Sequence, residues 1–91
     1  MSLADTLTAD SYMISAQISL YPLRQEHLSP AIELVKNTLE AHGLHPNIGA
    51  MSTVVTGETE TVFTALQEAF RGAAATGHVV MTVTFSNACP I

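Results

Sequence analysis

The 91-residue chain has a single cysteine, three Lys or Arg residues, and charged residues at only 12% of its positions. One cysteine excludes an internal disulfide, and the location this implies is the cytoplasm. Three basic residues against eight acidic ones leave a net charge of −5 with no basic patch, which excludes the usual footprint of a nucleic-acid binder. No apolar run reaches the ~18 residues of a membrane span, so no membrane insertion is expected. Residues 1–12 have neither a basic start nor an apolar stretch. They therefore read as a flexible leader and not as a signal peptide. No Cys-x-x-Cys or His-Glu-x-x-His motif occurs, and no glycine-rich phosphate loop.

What the chain does have is apolar residues, at 47%. Soluble domains carry about 25% charged residues, so this surface is unusually neutral and favours self-association. Ninety-one residues make one domain over 13–91. Such a domain buries roughly 60–65% of its unfolded surface, a modest core that an oligomer supplements.

The clearest element is the last strand, which begins near Gly77. Val79, Met81, Val83 and Phe85 point to one side, and Val80, Thr82, Thr84 and Ser86 to the other, because strand side chains alternate. One side is apolar and requires a core. The other is hydroxyl-rich without a charge, which marks a docking face. Residues 12–21 repeat the pattern, with Ile14, Ala16, Ile18 and Leu20 opposite Met13, Ser15, Gln17 and Ser19. Pro22, which lacks an N–H, is expected to end that pairing.

Ser29-Pro30 is a good helix start, and Leu28, Ile32, Val35 and Leu39 form the expected apolar stripe. Gly43 and Leu44 fit a Schellman ending, with Leu44 packing back on Leu39. Residues 45–56 hold two short strands, and Gly49 marks a bulge or a close backbone approach. Residues 57–60 open the second helix, whose expected stripe is Val62/Phe63, Leu66, Ala69/Phe70 and Ala73. Gly72 weakens that helix by roughly 1 kcal/mol relative to Ala. The order β-α-β-β-α-β predicts an α+β, ferredoxin-like sandwich: a four-stranded antiparallel sheet with two helices on one face.

Chemistry-bearing side chains are few. His27, His42, His45 and Cys89 are the possible metal ligands, but Gly43 breaks the helix between His42 and His45, and solvated histidines are the simpler reading. Cys89 as a nucleophile needs a base, and His78 lies at the other end of the same strand, roughly 30 Å away at about 3.3 Å per residue. No pair of carboxylates appears on a strand, so an enzyme is poorly supported. What remains is a set of neutral hydrogen-bonding groups on strands or at strand ends: Gln17, Ser19, Ser52, Thr53, Ser86 and Asn87. Met51, Met81, Tyr21 and Phe85 lie alongside them. These suit a small neutral heterocycle with ring nitrogens and an exocyclic amine. They equally suit ordinary β-formers buried in a subunit contact.

Three segments go further: residues 14–23, the run Gly49-Ala50-Met51-Ser52-Thr53, and residues 77–90, ending Phe85-Ser86-Asn87-Ala88-Cys89-Pro90. Together they resemble the YkoF family of thiamine/hydroxymethylpyrimidine-binding proteins. The resemblance runs in order from about residue 13 to 90. It implies a ferredoxin-like fold and a protein that binds thiamine or its hydroxymethylpyrimidine moiety without turning it over, in the handling or uptake of thiamine precursors. Better-known members carry two such domains in tandem, so it also implies a homodimer or homotetramer here, associating through sheet faces or edges. The ligand-binding positions it implies are Gln17, Ser19, Met51, Ser52, Thr53, Ser86 and Asn87. Met51, Tyr21 and Phe85 are candidate walls or stacking groups. No cofactor other than the ligand, no metal and no catalytic residue is expected. The competing expectation is a structural or regulatory oligomerisation module without a ligand.

Overall fold

The computed structural model describes residues 13–23, 29–49 and 52–88. The expected leader, Met51, His27, Leu28 and Cys89 lie outside the described residues. The elements are β1 (Met13–Pro22), α1 (Ser29–Ala41), β2 (Asn47–Ile48), β3 (Thr53–Glu58), α2 (Thr59–Ala75) and β4 (Val79–Ser86). The strands form one antiparallel sheet in the order β2-β3-β1-β4, with β1 and β3 in the centre. This is the ferredoxin-like α+β architecture expected from the pattern.

The core lies between the sheet and the helices. β1 supplies Ile14, Ala16 and Ile18, β3 supplies Val55, and the helices supply Val35, Leu39, Val62, Ala65, Leu66, Ala69 and Ala73. Leu20, Val79, Met81 and Val83 pack against it from the β1 end and from β4. The alternation along β1 thus sends its even-numbered residues to the helices and its odd-numbered ones to the open face.

The end of α1 follows the Schellman geometry. Gly43 N–H donates to Glu40 C=O at 2.9 Å and Leu44 N–H to Leu39 C=O at 3.1 Å, with Gly43 at φ +80°. Leu44 is thereby turned into the core, where it rests on Gly57. A Cβ at Gly57 would lie 2.6 Å from Leu44 Cδ2 and 3.3 Å from Val62 Cγ2.

Four expectations shift. Pairing does not stop at Pro22: the register runs on to Pro22↔Val79, and Leu23 N–H reaches His78 C=O at 2.7 Å. That bond makes 23 and 78 a hydrogen-bonded pair, and antiparallel pairs alternate in type. The Pro22 pair is then one that asks for no N–H from β1 towards β4, and β3 begins too late to ask for one on the other side. Second, residues 57 and 58 belong to β3, and α2 starts at Thr59.

Third, the buried side of α1 is Ala31, Val35 and Leu39, while Ile32 is exposed. Fourth, α2 buries Val62, Ala65, Leu66, Ala69 and Ala73 and leaves Phe63 and Phe70 exposed. Helix α2 packs against α1 and the sheet together, and alanines four residues apart allow that approach where phenylalanines do not. Gly72 belongs to the same contact, since a Cβ there would meet Leu34 Cδ2 at 2.6 Å.

The two glycines differ in what surrounds them. Gly57→Ala must displace the buried Leu44, and is expected to cost about 1–3 kcal/mol. Gly72→Ala displaces only the tip of half-buried Leu34 and gains about 1 kcal/mol of helix propensity, so it stays within about 1 kcal/mol of the parent. Urea unfolding midpoints at unchanged slope check both.

Candidate functional site

The open face of the sheet is built by the odd-numbered residues of β1 and the even-numbered residues of β3 and β4. The register sets it out in rows. Thr56, Ser15 and Ser86 lie side by side; Val54, Gln17 and Thr84 form the next row; Ser19 pairs with Thr82, and Tyr21 with Val80. Met13 pairs with Glu58 at the opposite corner. Glu58 is the one charged side chain among the described strand residues. The face is thus hydroxyl and amide in the middle, with exposed Tyr21 and Val80 at one end and exposed Met13 beside Glu58 at the other.

Side chains on this face bond to one another. Gln17 Nε2 donates to Ser52 Oγ at 3.3 Å. Ser52 is two residues before Val54, the cross-strand partner of Gln17, so it is the diagonal neighbour that a long amide side chain can reach. Ser15 Oγ and Thr56 Oγ1 are 3.1 Å apart, and Ser15 is the one buried polar residue described, at 7% exposure. Its hydroxyl therefore has the partner that burial demands. With its nitrogen held by Ser52, the Gln17 amide keeps its acceptor oxygen on the other branch.

The seven expected ligand positions do not all converge. Gln17, Ser19 and Ser52 come together on the open face. Ser86 joins it through its pairing with Ser15. The Ser86 hydroxyl is already engaged locally: it donates to Ala88 C=O and accepts from Ala88 N–H, each at 3.0 Å. Asn87 follows the strand and is exposed. Thr53 lies on the other side of the sheet, because it pairs with Ile18, whose side chain is in the core. Ser52 and Thr53 are neighbours in sequence but face opposite ways. Met51 is outside the described residues.

Of the expected walls, Tyr21 stands on the open face. Phe85 points to the helix side and stacks on Phe63, with ring centroids 4.3 Å apart and planes 10° from parallel. Thr56 was not singled out by sequence. Its signal was the alternation Val54-Val55-Thr56, which identifies a face only once the register with β1 is known.

Between β2 and β3, Gly49 N–H donates to Ser52 C=O at 2.8 Å, closing the hairpin. A Cβ on Gly49 would lie 3.2 Å from that same oxygen, so the expected close backbone approach is present. It fixes Ser52 at the hairpin base beside Gln17. Among the described residues no group of three His, Cys, Asp or Glu is placed to hold a metal ion. His42 is bonded through Nε2 to Glu68 of α2. Nor is any described helix long and apolar enough to cross a membrane.

Fold and face together define a small ferredoxin-like module that presents an almost uncharged, hydroxyl- and amide-lined sheet. The chain belongs to the YKOF-related family, whose model matches residues 13–91. No curated protein matches it. Solved structures show the same fold. A hypothetical protein from Methanocaldococcus jannascii superposes with a TM-score of 0.76 at 21% identity, over 82% of this chain and 79% of the other. A domain of unknown function from Bacillus cereus gives 0.72 at 16% identity, over 84% and 76%. A Thermotoga maritima protein proposed to act in thiamine biosynthesis or salvage gives 0.73 at 18% identity, over 81% and 82%.

The two hydrogen-bonded pairs on the face differ in what they do for stability. A double-mutant cycle with Ser15→Ala and Thr56→Val is expected to return a coupling of about 0.5–1 kcal/mol. Gln17→Ala, at an exposed position, should shift stability by no more than about 0.5 kcal/mol. Thermal or urea unfolding measures both.

Proposed function

We propose that the protein binds thiamine or its hydroxymethylpyrimidine moiety, without chemical turnover, on the open sheet face around Gln17 and Ser52. One observation carries the reading: a carboxamide anchored by a serine hydroxyl in the middle of a sheet face whose one charge among the described residues, Glu58, lies at a corner. An aminopyrimidine edge offers a ring-nitrogen acceptor beside an amine donor, and a carboxamide offers the matching donor and acceptor. Ser19, Ser52 and Thr84 surround that amide with hydroxyls. Tyr21 supplies an aromatic surface at the end of the same face.

Family membership supports the reading, and so does the role proposed for the Thermotoga maritima neighbour. The net charge of −5 suits the cationic thiazolium of thiamine. The protein acts in this proposal as a cytoplasmic homo-oligomer that handles or delivers a thiamine precursor. Ser86, Asn87 and Thr53 play lesser parts: the first is engaged with Ala88, the second follows the strand, and the third faces away.

A second reading has its own observation. Exposed Met13, Tyr21 and Val80 border the polar rows, as the margin of a subunit contact would. In that case the face serves assembly alone.

Calorimetric titration with thiamine and with hydroxymethylpyrimidine separates the two. The expected result is saturable heat that Gln17→Ala and Ser52→Ala each weaken roughly 3–10-fold, the loss of about one hydrogen bond, in an unchanged oligomer. Absence of heat at millimolar ligand sinks the binding proposal. Dissociation of the Gln17→Ala variant without any ligand effect supports the assembly reading.

A further inference from the structure

We propose that Glu58 sets the charge specificity of the open face: it meets the cationic ring of a two-ring ligand whose neutral pyrimidine rests at Gln17. This rests on the functional reading above. It adds a direction for the ligand along the sheet and a residue that tells a cationic ring from a neutral one.

Register places the two groups. Gln17 pairs with Val54 and Met13 with Glu58, so Gln17 and Glu58 lie on one face, four residues apart along the strands. At about 3.3 Å per residue that is roughly 13 Å between backbones. Both side chains are long enough to shorten the gap. Thiamine, two rings joined by one methylene, has a length of the same order.

The strip between them is low. Its row is Thr56, Ser15 and Ser86. The Ser15 and Thr56 hydroxyls bond to one another at 3.1 Å, and the Ser86 hydroxyl is engaged with Ala88. Short side chains with their hydrogen bonds already made compete little for a ligand lying across them. The register of β1 with β4 runs no further than Ser15↔Ser86, so at Met13 the described sheet is two strands wide. Met13 is exposed there beside Glu58. An apolar side chain next to a carboxylate suits a flat organic cation, which buries apolar surface and meets an opposite charge at the same place.

Glu58 is available for the role. It stands just before α2, yet its side chain makes no capping hydrogen bond to that helix. Among the described residues its carboxylate has no ion-pair partner. It is also the one charged side chain among the described strand residues. The opposite end of the face, at Tyr21 and Val80, is neutral. Charge complementarity therefore directs a cationic ring to the Glu58 corner.

The test compares thiamine with two probes that lack its charged ring. One is the deaza analogue of thiamine, in which carbon replaces the thiazolium nitrogen. The other is hydroxymethylpyrimidine, which reads binding at Gln17 alone. Calorimetric titration of the parent is expected to show thiamine bound about 2–5-fold more tightly than the deaza analogue, the size of a solvent-exposed ion pair. Raising salt from about 0.1 M to about 1 M shortens the screening length from about 10 Å to about 3 Å and should remove that preference. Glu58→Gln should remove it at low salt as well, and Glu58→Lys should reverse it, with urea unfolding reporting that each variant is folded. Glu33→Gln takes the same unit of charge from exposed α1, on the other side of the sheet, and should keep the preference. A preference that survives Glu58→Gln, or that Glu33→Gln lowers equally, overturns the role of Glu58. So does a parent that binds thiamine and the deaza analogue alike, and the binding reading then stands without it. A parent that gives no heat with any of the three overturns both.

Discussion

The pairing of β1 with a strand on each side is the constraint on which the rest depends. It is the one strand whose Ile14, Ala16 and Ile18 all enter the core. A slip of one residue would exchange these for Ser15 and Gln17, burying an amide without partners and exposing two isoleucines. Because β3 and β4 both take their register from β1, its alternation is copied to both. The core under the helices and the nearly uncharged open face are two consequences of one period-2 pattern.

The helices adapt to that sheet through small residues. Leu44 enters the core only because the Schellman turn at Gly43 redirects the chain and Gly57 leaves a space above β3. Ala65, Ala69, Gly72 and Ala73 let α2 lie against both α1 and the sheet. The phenylalanines pay for this closeness by moving outward. Phe63 recovers contact by stacking on Phe85, at the rim of the edge strand. Among the described residues, Val79, Met81 and Val83 of β4 are only half-buried and Phe85 is exposed.

The polar side of the molecule follows a related logic. Hydroxyls and amides on an open face cost little when water reaches them, and bond to one another where it does not. Ser15 shows the second case with Thr56, and Gln17 with Ser52 the intermediate one. A face organised in this way has directional groups and, apart from Glu58 at one corner, no fixed charge among the described residues. In the proposed function that chemistry reads a heterocycle through matched donors and acceptors.

Much of this was legible in the chain itself. Alternation at 13–21 and 79–86 is a property of consecutive residues, so the two polar stripes and the strand faces could be read without coordinates. The same holds for the Gly43-Leu44 ending of α1, whose bonds span six residues. Element order was enough for the ferredoxin-like sandwich. Other features were not local. That Ser52 faces Gln17 while Thr53 turns to the core depends on the β1–β3 register, which no turn motif announces. That Pro22 could stay in the ladder depends on which pairs are hydrogen-bonded. Ile32, Phe63 and Phe70 lie outside the buried stripes because each helix has two neighbours to pack against, and helical spacing records only one apolar side. Sequence determined the period and composition of each element, since both are set by covalent neighbours. Register, helix rotation and the place of β4 at the end of the strand order were decided by the tertiary structure, because each is a choice among contacts between residues far apart in the chain.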